Sequence, residues 1–143
     1  MEQDMKFQKS TGYALRILGY LHNYTSSSSG SGDMPTAQTI SEAVGITYPY
    51  FIKIANQLKK NGMIGSVQGR NGGYQMAKPA CEISVYDVVL AVEGELKISD
   101  CLAVDTQCNR SAEHCTMQGY FREVRLLLID KLSSKKIADL GTV

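Results

Sequence analysis

The sequence predicts a mainly α-helical fold carrying one small β-hairpin. Three observations lead there. Apolar residues recur at helical spacing in five separate stretches of the 143-residue chain. Two of those stretches are short and joined by a tight turn at Gly45. Between the third and fourth lies GRNGG, flanked on both sides by short alternating segments, MIGSVQ and YQMAK.

The first helix is expected over Ser10 to Tyr24, where Tyr13, Leu15, Ile17, Leu18, Leu21 and Tyr24 form the apolar stripe. TSSSSGSGD, residues 25–33, has too little apolar surface to repay ordering, and reads as a flexible linker or loop. The second helix follows Pro35, with Thr36 as N-cap, Ala37, Ile40 and Val44 on one face, and Gly45 as the stop. The third begins with Thr47 as cap and Pro49 in the first turn, where a missing N–H does no harm. Phe51, Ile54 and Leu58 face inward, and Asn61-Gly62 ends it. Two short helices across a glycine turn match a helix-turn-helix, and a hairpin directly behind the second makes it winged. The hairpin turn is placed at Asn-Gly-Gly, because these residues tolerate positive φ. Ser84 then caps a helix with Val85, Val88, Val89 and Val92 on its apolar face and Gly94 at its end. Cys81, just before it, is expected to be a small buried hydrophobe.

The last helix, over 119–132, sets Phe121, Val124, Leu127, Leu128 and Leu132 at spacings of three and four, and Leu126 and Ile129 widen the stripe. That is more apolar surface than a helix at the edge of a small domain needs for itself. A second copy is the expected partner, since two-fold dimers are the commonest assembly and suit palindromic DNA. An ordinary core helix is the competing reading. The chain thus divides into a winged helix-turn-helix domain over 5–80 and a second part, 81–143, with a helix, a cysteine loop (101–115) and a dimerisation helix.

Net charge is +1, and its distribution is more informative than its size. From Ala43 to Cys81 there is no Asp or Glu, while Lys53, Lys59, Lys60, Arg70 and Lys78 are present. From Glu82 onward ten acids face seven Lys and Arg. One part therefore suits phosphate and the other does not. Thr47, Tyr48, Tyr50 and Lys53 at the start of the third helix are placed to read the major groove. Lys59, Lys60 and the hairpin tip, Gln68, Arg70 and Asn71, are placed for phosphate or the minor groove. Tyr50 has packing as its alternative role, and Lys59 and Lys60 simple solvation.

No apolar run approaches membrane-spanning length, and MEQDMKFQKS lacks the apolar stretch of a secretory signal, so a cytoplasmic protein is expected. Enzymatic chemistry has little support: the chain has no Cys-x-x-Cys, P-loop, dinucleotide glycine motif or His paired with a plausible nucleophile. No small-molecule substrate is expected. Three of four cysteines lie in CLAVDTQCNRSAEHC, with six residues between successive thiols. Under reducing conditions such clusters bind metal or sense redox state more often than they form permanent bridges. Thiolates are standard iron-sulfur ligands, whereas zinc sites use tighter pairs.

YALRIL, NGMI, QGRNGGY, VYDVV and AVEG occur in an order that resembles the IscR-type regulators of the Rrf2 family, bacterial winged-helix transcription factors, from Met5 to Leu140. The resemblance implies a homodimer formed through the C-terminal helix, and promoter binding. It also implies an iron-sulfur cluster, 2Fe-2S or 4Fe-4S, held by Cys101, Cys108 and Cys115 between the AVEG helix and the dimer helix. This chain departs from the pattern at several places. Gln118 stands where the IscR branch has a histidine, and Gly12 where nitric-oxide-sensing relatives have an Asp. The six-and-six spacing exceeds the commonest five-and-five, and Gln68-Gly69 replaces Arg-Gly before the wing turn. The fourth ligand is therefore open, with His114, His22, Asp105 and Cys81 as weak candidates. Two other readings stay open: a cluster-free regulator that signals through its thiols or a partner protein, and a metal-binding module for protein interaction.

Overall fold

A computed structural model describes residues 7–27, 32–96 and 116–141. Helix α1 (Lys9–Ser27) buries Ala14, Ile17, Leu18 and Leu21 along one face. It runs three residues past Tyr24 into the stretch expected to be linker. There the Thr25 hydroxyl donates to the Leu21 carbonyl at 2.9 Å and the Ser26 hydroxyl to the His22 carbonyl at 3.0 Å. Hydroxyls that bond back to the preceding turn let a polar sequence continue a helix it does not favour.

Helix α2 (Ala37–Val44) starts where the Thr36 hydroxyl accepts the Thr39 N–H at 3.2 Å. It stops at Gly45, whose φ of +79° turns the chain so that the N–H groups of Gly45 and Ile46 both reach the Ser41 carbonyl. Helix α3 (Tyr48–Lys60) follows after three intervening residues. Thr47 sits at the N-cap position with extended backbone, but its side chain makes no cap bond; only its carbonyl acts, accepting from the Phe51 N–H at 2.9 Å.

Strands β1 (Ile64–Val67) and β2 (Gly73–Met76) pair antiparallel, Ile64 opposite Met76 and Val67 opposite Gly73. The positive φ of the turn falls at Gly69 (+116°), which corrects its placement at Asn-Gly-Gly. Gly72 is required for closeness instead: a Cβ there would strike the Val67 carbonyl. A 3-10 turn at Ala80–Glu82 leads to α4 (Val85–Glu93). Cys81 in that turn is exposed, contrary to the expected burial, because the inward positions are taken by Ala80 and Ile83. A capping box starts α4, with the Ser84 N–H on Asp87 at 2.9 Å and the Asp87 N–H on Ser84 at 3.1 Å.

After α5 (Thr116–Ser133) the chain turns back. The Val85 N–H donates to the Lys135 carbonyl and the Ile137 N–H to the Ile83 carbonyl, both at 2.9 Å. A 3-10 turn at Ile137–Asp139 thereby inserts Ile137 into the core. That core is one cluster in which Ile17, Leu18, Phe51 and Ile54 meet Ile83, Val88 and Ile137, so residues on both sides of position 80 share it.

Candidate nucleic-acid interface

The inner face of α3 buries Phe51, Ile54, Ala55 and Leu58, which forces the opposite face outward. Thr47, Tyr48, Lys53, Lys59 and Lys60 are exposed on it. Tyr50 is half-buried, its ring edge-on to Tyr13 with centroids 5.7 Å apart. Tyr50 and Lys53 also line a small cleft with Gln8 and Ser10 at the start of α1. The outward face therefore offers hydroxyl and ammonium groups and no carboxylate, a combination suited to bases and phosphates.

The wing is held beside this face by contacts that the sequence reading missed. The Tyr74 N–H donates to the Pro35 carbonyl at 2.9 Å, tying β2 to the segment before α2. At Gly73 an added Cβ would lie 2.5 Å from that same carbonyl, so only glycine permits the approach. The Tyr74 ring packs edge-on against Phe51 of α3. Burial, and then the nearby Tyr48, push the Tyr74 hydroxyl above the ordinary tyrosine range. The glycine pair before a tyrosine is the only local signal that could have marked this dock. Gln68, Arg70 and Asn71 stand exposed at the wing tip.

On α5, Phe121, Val124, Leu128 and Leu132 are half-buried while Leu127 is 70% exposed. Met117, Tyr120 and Leu126 are each more than half exposed, so the helix carries a broad apolar surface that the other described residues do not cover. Arg125, on the same helix, bonds Glu95 at 2.8 Å and the Leu96 carbonyl at 3.0 Å. Cys101, Asp105, Cys108, His114 and Cys115 lie outside the described residues. Of the other ligand candidates, His22 is half-buried in α1 and Cys81 stands apart on the surface. Among the described residues no three His, Cys, Asp or Glu side chains group as a metal site, and no helix is long and apolar enough to cross a membrane.

A glycine-turned helix pair backed by a docked hairpin defines the winged-helix class. Solved structures share this fold: IscR of T. potens, with a TM-score of 0.69, 20% identity, and coverage of 95% of this chain and 85% of that one; and CymR, the global cysteine regulator of B. subtilis, at 0.72, 17%, 97% and 98%. The Rrf2 family model, described as "Iron-dependent Transcriptional regulator", matches residues 7–142, and the chain belongs to that family of transcriptional regulators. Among curated relatives, the HTH-type transcriptional regulator NsrR of Shouchella clausii is 26% identical over 136 residues, 95% of this chain and 88% of its own length.

Proposed function

We propose that this protein is a homodimeric promoter-binding regulator in which α3 enters the major groove, the wing reaches the backbone or minor groove, and α5 pairs with its counterpart in a second copy. The observation that carries the reading is the carboxylate-free outer face of α3, flanked by a wing that Tyr74 and Gly73 dock beside it. Its family, a family of transcriptional regulators, supports it. Selection of bound duplexes from a random-sequence pool tests it. Palindromic sites with half-sites about one helical turn apart are expected of a two-fold dimer; recovery of unselected sequence, or of single half-sites, would contradict it.

The control element in this reading is an iron-sulfur cluster on Cys101, Cys108 and Cys115. The donor chemistry fits, since three thiolates are the ligand type that such clusters take. The segment that carries them runs from Leu96, three residues past the end of α4, to Thr116, the first residue of α5. When bound, a cluster supplies a site that iron supply, nitric oxide or oxidants can alter. The chain's own part is to convert that change into a different placement of α5 and of the reading heads.

Protein purified without oxygen should show broad visible absorption with iron and sulfide in matching amounts, lost on Cys101→Ser, Cys108→Ser or Cys115→Ser. Gly12, which carries no donor, favours a second reading in which the thiols themselves sense oxidation. A colourless protein that stays metal-free after reconstitution, yet changes DNA affinity with oxidant, would establish that one.

A further inference from the structure

Among the described residues helix α5 packs chiefly on α4, and its tethers include two sets of hydrogen bonds. At its C-terminal end the backbone pairs Lys135 with Val85 and Ile137 with Ile83. About 10 Å back along the helix, seven residues before Leu132, Arg125 reaches across to residues 95 and 96. Its Nε donates to the Leu96 carbonyl at 3.0 Å and its terminal nitrogen bonds the Glu95 carboxylate at 2.8 Å. One guanidinium thus holds both a side chain and the main chain, which its rigid fork allows and a lysine cannot reproduce. Glu95 is 55% exposed, so solvent screens the ion pair; the bond to the Leu96 carbonyl, from a guanidinium only 24% exposed, is the better shielded of the two.

The same short segment is gripped from its other side. Helix α4 ends at Glu93, and Gly94, with φ of +83°, turns the chain out. The Glu93 carboxylate accepts the N–H of Gln8, immediately before α1. An anion there meets unsatisfied N–H groups at a helix start, so the bond is favoured by charge as well as geometry. Gln8 and Ser10 border the cleft against Tyr50 and Lys53 of α3.

From these contacts we propose that Arg125 is a positioning residue: it sets the tilt of α5 on α4 and, through Glu93 to Leu96, links that tilt to the start of α1 beside α3. Without it α5 loses its hold on Glu95 and Leu96, and its tilt on α4 is left to apolar packing and its other contacts. The importance of that tilt for DNA spacing rests on the proposed dimer through α5; the linkage itself does not.

Amide exchange followed by NMR on the full chain tests it, comparing wild type with Arg125→Ala, Arg125→Lys and Glu93→Gln, with sedimentation run alongside. In Arg125→Ala, the amides of Gln8 and Lys9 should exchange at least about tenfold faster, as they do in Glu93→Gln. Core amides such as Leu18 and Ile54 should keep their rates. Arg125→Lys should restore part of the protection. Unchanged exchange at Gln8 in Arg125→Ala overturns the proposal, and so does a uniform rise across the core, which would mark a merely structural residue. A wild-type monomer in sedimentation would count against the dimer reading and leave the exchange result to decide the linkage by itself.

Discussion

The ring of Tyr74 meets the ring of Phe51 edge-on, with centroids 5.2 Å apart and planes at 88°. Phe51 is fully buried in α3 and Tyr74 belongs to β2, so this pair joins the wing to the helix proposed to read DNA. Tyr74→Ala should cost about 2 kcal/mol from lost burial and ring contact. Duplex affinity should fall further than stability explains, because the wing loses its anchor. Thermal unfolding and fluorescence anisotropy, read on the same variant, check both.

The Tyr74 hydroxyl also makes a pH prediction. Its ionisation is raised in the folded state, first by burial and then by Tyr48. The folded chain therefore binds more protons than the unfolded one above the ordinary tyrosine value near 10, and stability falls as pH rises through that range. Below it, the contribution is fully present. Tyr74→Phe keeps the ring and should flatten the alkaline limb of the stability curve; an unchanged limb would sink the prediction.

Gly73→Ala should destabilise by about 1–3 kcal/mol through overpacking. The new methyl would lie 2.5 Å from the Pro35 carbonyl and 2.8 Å from the Met34 Cβ, and backbone cannot yield as a flexible side chain would. Gly65 in the facing strand has open space, so Gly65→Ala serves as the control and should cost less. Chemical denaturation compares them.

Leu127→Glu should leave the monomer's fold intact, since the side chain is 70% exposed in a single chain. If α5 forms the dimer contact, the buried charge in each copy should shift the sedimenting species from dimer to monomer. A Leu127→Glu protein that still sediments as a dimer would move the interface elsewhere.

Much of this fold is legible because its signals are local. Thr36, Gly45, Ser84 and Gly94 act within four residues of themselves, and the sequence places all four helix boundaries correctly. The stripe Phe51, Ile54, Leu58 likewise declares which side of α3 is inward. What escapes the sequence reading depends on residues far apart in the chain. Nothing near Ile137 announces that its N–H will pair with Ile83, and nothing near Tyr74 announces Pro35 as its acceptor. The extension of α1 through Thr25 and Ser26 escapes for a different reason: serine-rich sequence reads as linker unless its hydroxyls find carbonyls one turn back. In the candidate interface, residue type and exposure were readable for Lys53 and Arg70, whereas the half-burial of Tyr50 against Tyr13 was not decidable from spacing.

In the proposed complex, α3 and the wing bind duplex DNA against its phosphates. The most direct measurement is the affinity for a duplex of about two helical turns, recorded from low to physiological salt. Log affinity should fall linearly with log salt, and Lys53→Ala or Arg70→Ala should each reduce the slope by about one when the lost cation touched a phosphate. An affinity indifferent to salt, or slopes that neither substitution changes, would contradict the placement of this face on DNA.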